Sequence, residues 1–148
     1  MMKHLLSSAM CLTVLSVTAF ADTRLTNVKT HAGNVERDSK ELTTLLKGKQ
    51  FDLQTIQTRI SSIGGEIGNI QKVVDEIEAS NAQFVEGRGK EWQLFKENVQ
   101  LLSISHNNKV AAATAENPRK NRALLMAYAK GQIKRAEMLN EASQRLLR

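Results

Sequence analysis

Residues 25–84 read LTNVKTHAGNVERDSKELTTLLKGKQFDLQTIQTRISSIGGEIGNIQKVVDEIEASNAQF. With Leu25 as the first position of a heptad, apolar side chains recur at the first and fourth positions (a and d) along the whole stretch. Only Ser39, Lys49 and Asn81 interrupt these two rows. An ordinary globular helix does not keep such spacing for sixty residues, whereas a coiled coil requires it. The pattern predicts an all-α fold led by a long coiled-coil helix.

The composition favours the same fold class. Aromatic residues make up only 4% of the chain, with one tryptophan and one proline. A helical bundle can be filled with Leu, Ile, Val and Ala, whereas a compact globule needs larger side chains. No sustained alternation of apolar and polar residues is bounded by turn residues, so no strands are predicted.

The first 21 residues have the three parts of a secretory signal peptide. A basic start is followed by an apolar stretch over residues 5–17 and by small residues at Ala19 and Ala21. Cleavage is expected after Ala21, which predicts a periplasmic or secreted protein. The processed chain would then hold no cysteine, which excludes disulfides and thiol chemistry.

Two other interpretations of the N-terminus fit the residues less well. A membrane anchor needs roughly 20 apolar residues in a row, and serines and threonines interrupt this stretch. A lipoprotein would attach its lipid at Cys11, but Met10 stands where a small residue is expected.

The processed chain divides into three predicted helices. A heptad-repeat helix should span residues 22–86, a second helix residues 87–117, and a basic amphipathic helix residues 118–148, beginning at the boundary that Pro118 sets. Two places could hold a turn, Gly64-Gly65 and Gly87-Gly89. The isoleucine spacing continues across the first pair, whereas register is lost near the second, so a turn is favoured at the second. The helices would form a helical hairpin or an elongated bundle.

The long seam predicts self-association. Helices two and three could cover it within one chain only by lying end to end along it; side by side, they would leave half of it open. Branched residues fill both rows of its second half, which favours a homo-oligomer, with a trimer preferred over a dimer. The predicted oligomer seam consists of Leu46, Leu53, Ile56, Ile60, Ile63, Ile67, Ile70, Val74 and Ile77.

The positive charge of the chain is concentrated at its C-terminal end. Residues 22–118 carry a net charge of −1, and residues 119–148 carry +6. Such a helix could bind phospholipid headgroups or another anionic envelope surface, or it could simply be solvated. The predicted anionic-surface residues are Arg119, Lys120, Arg122, Lys130, Lys134 and Arg135. Nucleic acid is disfavoured, since Tyr128 is the only ring there that could stack on a base.

No catalytic or cofactor-binding pattern is present. His31 and His106 lack the spacing of a metal motif, and the acidic residues Asp75, Glu76 and Glu78 occupy outward heptad positions. The sequence therefore predicts no enzyme, no metal and no cofactor. His106 lies on an apolar row and is expected to pack between helices.

These observations favour an exported, non-enzymatic coiled-coil scaffold or assembly subunit of the bacterial cell envelope. The alternative is a periplasmic helical binding module or chaperone-like adaptor for a secretion or pilus system. An envelope protein is a candidate partner for either. A membrane-active protein is a third class, and the lack of a long uncharged apolar hairpin argues against it.

Overall fold

The structure is a computed structural model that describes the backbone of residues 3–114 and 119–148 and the side chains of residues 19–108 and 119–148. Its helices are α1 (Lys3–Lys47), α2 (Leu53–Ser80), α3 (Ala82–Gly87), α4 (Gly89–Thr114) and α5 (Arg122–Leu146). No strand occurs among these described residues, and the all-α prediction is confirmed.

The four long helices form a closed bundle. Helix α1 packs against α2 and α5, and α4 packs against the same two helices from the other side. Neighbours run antiparallel: Arg24 pairs with Glu76, whereas Arg59, near the start of α2, reaches Asp38 in the second half of α1. The short α3 joins α2 to α4, so the architecture is an up-down-up-down four-helix bundle.

The core lies on the bundle axis and draws on all four long helices. Helix α1 contributes small and aliphatic side chains such as Val28 and Leu42, and α2 contributes a row of isoleucines. The largest buried side chains come from the other two helices, namely Trp92 and Phe95 on α4 and Tyr128 on α5. The three aromatics supply the bulk that the aliphatic first half of the chain lacks.

The predicted helix over residues 22–86 is interrupted at Gly48, where the chain turns back on itself. Helix α1 ends at Lys47 and α2 begins at Leu53. Lys49 and Leu53, the two positions that a continuous seam would bury here, are both exposed. The prediction of one unbroken helix was wrong at this point, because the hairpin occupies a single heptad and leaves the spacing intact on both sides.

Local hydrogen bonds account for the turn. The amide of Gly48 donates to the carbonyl of Leu45 at 3.2 Å, which closes the last turn of α1. Asp52 caps α2: its carboxylate accepts from the Thr55 amide at 3.2 Å and from the Thr55 hydroxyl at 2.6 Å. These bonds, led by the one from the hydroxyl, lower the pKa of Asp52.

Gly64 and Gly65 lie inside α2, which is continuous through them, consistent with the isoleucine spacing. The break after α2 comes earlier than the turn favoured at Gly87-Gly89. The reversal between α2 and α4 is spread over buried Asn81, short α3 and Arg88. Asn81 ends α2, and its amide donates to the Ile77 carbonyl at 2.9 Å.

The C-terminal helix starts later than predicted, at Arg122, and the predicted boundary at Pro118 lies outside the described residues. Residues 3–21 of the proposed signal region form the first part of α1. Residues 1 and 2 and the side chains of residues 3–18 lie outside the described part of the chain.

Gly64 marks a close approach between helices. A Cβ atom there would lie 2.6 Å from Nε2 of His106, and the same atom at Gly65 would meet nothing within 4 Å. The His106 ring cannot easily move aside, because its Nδ1 lies 2.7 Å from the hydroxyl of Tyr128.

We therefore expect Gly64→Ala and Gly65→Ala to change stability in opposite directions. Each gains about 1 kcal/mol of helix propensity, but overpacking at Gly64 costs roughly 1–3 kcal/mol. Urea unfolding should show Gly64→Ala destabilised and Gly65→Ala stabilised. Equal stabilisation of both variants would contradict the packing of His106 on Gly64.

Candidate functional site

The predicted oligomer seam lies inside the bundle. Eight of its nine residues are buried, and Leu53 alone is exposed, at 41%. The sequence argument assumed one straight helix, half of which the other two would leave open if they lay side by side. Because the seam is folded in two at Gly48, α4 and α5 lie side by side and cover both halves. The buried seam residues are Leu46, Ile56, Ile60, Ile63, Ile67, Ile70, Val74 and Ile77.

The six predicted anionic-surface residues do not form one surface. Arg119, Lys120 and Arg122 lie at the start of α5, beside the hairpin. Lys130 and Lys134 are exposed further along α5.

Arg135 is partly buried and belongs to neither group. Its guanidinium Nη1 lies 2.6 Å from where a Cβ of Gly131 would stand, so the side chain folds back over its own helix.

The α1–α2 hairpin and the start of α5 are held together through Phe51. The guanidinium of Arg122 lies 5.5 Å and that of Arg119 6.0 Å from the centre of its ring. Arg122 also donates to the carbonyl of Gly48 at 3.4 Å. The two ring contacts are cation–π interactions, and the bond to Gly48 is a charge-assisted hydrogen bond. Together the three contacts hold two distant parts of the sequence at one end of the bundle.

This end gathers more cations than the C-terminal helix alone provides. Lys47 and Lys49 flank Gly48 and are exposed. We define the basic end as residues 47–53 together with residues 119–124. Its positive side chains are Lys47, Lys49, Arg119, Lys120 and Arg122. Sequence reasoning missed the two lysines because nothing in the linear order brings them to residues 119–124.

A second surface is apolar and lies on the outer side of α4 and α5. Helical spacing places Leu94 and Leu101 on one side of α4, with Ile104 one turn beyond. On α5, Met138 and Leu124 lie on the side that faces α4. Their exposed fractions run from 37% to 48%. We call Leu94, Leu101, Ile104, Leu124 and Met138 the α4–α5 face.

A shallow pocket opens at one end of this face. It has a volume of about 180 Å³ and is lined by both helices, with Leu94 and Ala142 at its apolar part and Lys90, Glu91 and Arg145 around it. The face therefore combines apolar side chains with charges of both signs. Sequence analysis did not identify it, although α4 carries more apolar residues than its core side can hold.

The polar side chains that could suggest chemistry are engaged between helices. His31 Nδ1 lies 2.6 Å from a carboxylate oxygen of Glu66, whose other oxygen accepts from Asn34 at 3.1 Å. Asp38 is buried and accepts from the Ser62 hydroxyl at 2.6 Å and from Arg59 at 3.4 Å. Both carboxylates therefore join α1 to α2.

Glu76 and Glu78, which the heptad pattern placed at outward, solvated positions, also have partners on other helices. Glu76 pairs with Arg24. Glu78 accepts from Lys96 at 2.7 Å and from the Trp92 indole at 3.1 Å. These contacts, led by that with Lys96, lower the pKa of Glu78, and they tie α2 to α4.

His106 occupies a half-buried polar position where α2, α4 and α5 meet. Burial lowers the pKa of its imidazole and raises that of its partner Tyr128. Gln132 is buried one turn further along α5 and donates to the Leu102 carbonyl at 3.3 Å. The neutral forms of the histidine and tyrosine are favoured, as a structural contact between helices requires.

Within the described residues, no group of three or more His, Cys, Asp or Glu side chains could hold a metal ion. A helix long and apolar enough to cross a bilayer is likewise not found in that part of the chain. Comparison with protein-family models, with curated proteins and with solved structures gave no match.

Proposed function

We propose that this chain is an exported, non-enzymatic helical binding module of the bacterial cell envelope, acting as an adaptor for a larger assembly. The observation that carries the proposal is the closure of the heptad seam within a single chain. Because α4 and α5 cover the seam, the largest group of exposed apolar side chains in the described part of the chain is the α4–α5 face. Export is inferred from the signal-like features of residues 1–21.

The α4–α5 face suits an amphipathic helix of an envelope protein, such as a component of a secretion or pilus system. Two antiparallel helices present a groove into which the apolar side of a third helix can pack. Leu94 and Leu101 are one heptad apart, which matches the repeat of such a helix. Glu97 on α4 and Lys134 on α5 are exposed nearby and could pair with charges of either sign on the partner.

The second candidate is an assembly subunit in which copies of this chain cover the same face. Exposed apolar residues on two adjacent helices favour it, and the charges of both signs around this face could pair across a self-complementary interface. This is a homo-oligomer built on the α4–α5 face in place of the seam. The trimer expected from the sequence rested on the branched residues of the seam, which are buried.

We expect the protein recovered from a periplasmic fraction to begin at Asp22 and to be a monomer over a hundredfold dilution. Intact mass spectrometry gives the N-terminus, and light scattering after size exclusion gives the molar mass. A monomer supports the adaptor.

An oligomer that Leu101→Glu with Met138→Glu dissociates into folded monomers would support the assembly subunit. Gln93→Glu with Gln144→Glu, which changes exposed residues outside the α4–α5 face, is the matched control. Retention of the unprocessed chain in the cytoplasm would overturn both candidates.

A further inference from the structure

The two ends of the bundle differ in charge. Among its described residues, the basic end carries five cationic side chains and one carboxylate, that of Asp52. The opposite end, residues 76–91 with residues 145–148, carries four of each sign. The bundle is therefore electrostatically polarised along its axis, and the polarity arises only because the hairpin and the start of α5 meet.

Apolar side chains accompany the cations at the basic end. Leu53 is 41% exposed and Leu124 is 37% exposed. Phe51 is partly buried beneath Arg119 and Arg122. An exposed apolar side chain among lysines is the combination that binds the headgroup region of a bilayer, where the cation meets phosphate and the apolar group meets acyl chains.

The arrangement fits a broad anionic surface better than a single phosphate. Arg122, whose guanidinium could grip one phosphate in a bidentate manner, is engaged with Phe51 and the Gly48 carbonyl. Lys47, Lys49 and Lys120 are exposed and come from three separate positions around the turn. Exposed lysines bind anions as point charges and do not form a shaped pocket.

We infer that the basic end docks the bundle onto the surface of an anionic phospholipid bilayer, so that the helices stand on the membrane and do not lie along it. The inference names a partner for the proposed envelope module and rests on its export. It differs from the sequence prediction, in which the length of α5, including Lys130 and Lys134, met the anionic surface.

The test is co-sedimentation of the purified protein, its N-terminus defined by intact mass, with phosphatidylglycerol-containing vesicles and with phosphatidylcholine vesicles. The end variant replaces Lys47, Lys49 and Lys120 by glutamine. The side variant replaces Lys72, Lys130 and Lys134, which are exposed on the flanks of the bundle, by glutamine as well. Both lose three positive charges, so they differ only in where those charges lay.

We expect binding to the anionic vesicles alone, reduced roughly 100-fold in the end variant and less than about threefold in the side variant. Each lysine held close to the anionic surface contributes a similar increment, and the attraction fades within a Debye length, so lysines on the flanks contribute little. Circular dichroism melts should match the parent, because all six lysines are exposed. Leu53→Ser should weaken binding severalfold without altering the melt, as expected if an apolar side chain enters the headgroup region.

Three results would overturn the inference. Equal losses in both triple variants would show that binding follows net charge, and no binding by the parent would show that the basic end does not dock on a bilayer. Displacement by inorganic phosphate at constant ionic strength would indicate a phosphate pocket. None of these affects the periplasmic location or the monomeric mass, which test the proposed function separately.

Discussion

Replacing Ile63 by asparagine should leave much of the chain unfolded in the absence of denaturant. Ile63 is fully buried in α2. Removal of an isoleucine from a core costs about 2–5 kcal/mol, and a buried amide without a partner adds about 1–3 kcal/mol. Their sum is comparable to the total stability of a small domain, about 5–15 kcal/mol. Circular dichroism and Trp92 fluorescence over a urea gradient would measure the loss.

Leu101→Asn is the matched control for this substitution. Leu101 is 48% exposed, and surface changes of this kind usually alter stability by less than about 0.5 kcal/mol. If the seam joined copies of the chain, Ile63→Asn would instead give a folded species of lower mass, and the parent's urea midpoint would rise with protein concentration. Either observation would contradict a seam closed within one chain.

The all-α class was predictable because the heptad pattern extends over so much of the chain, but the hairpin at Gly48 was not. When two antiparallel helices each pack through one side, the apolar a and d rows in their sequences look the same as those of one long helix. The turn here replaces the single heptad from Leu46 to Leu53, so no phase shift shows in the sequence. Polar Lys49 in the seam and the capping pair Asp52 and Thr55 were the signals available.

The glycines illustrate the converse difficulty. Gly64 and Gly65 have the composition of a turn, yet they lie inside α2. Gly64 is required because the ring of His106 approaches from α4, and that tertiary contact cannot be deduced from a helix considered alone. At this position the close packing of His106 outweighs the low helix propensity of glycine.

The candidate surfaces were harder still to predict. Linear order groups Arg119 with Arg135, whereas the fold sends one to the basic end and folds the other over Gly131. Lys47 joins the basic end because Arg122 contacts both the Gly48 carbonyl and the ring of Phe51. Surface sites depend on which helices are neighbours, and in this chain the neighbours were decided by a hairpin that the heptad spacing concealed.

The aromatic cluster beside the α2–α4 reversal leads to the second large prediction. Phe95 is fully buried and stacks on Trp92 with ring centres 5.1 Å apart. Phe84 of α3 meets the same indole edge to face at 6.1 Å. These three rings pack the reversal against the core of the bundle.

We therefore expect Phe95→Ala to destabilise the bundle by about 3–5 kcal/mol, with a change in Trp92 emission in the native state. Leu94→Ala, one residue away on the same helix, is the control: Leu94 is 47% exposed, and its truncation should cost little. Urea unfolding of both variants measures the difference. If Phe95→Ala and Leu94→Ala lost equal stability, Phe95 would not lie on the side of α4 that packs into the core. The assignment of Leu94 to the exposed α4–α5 face would then be wrong as well.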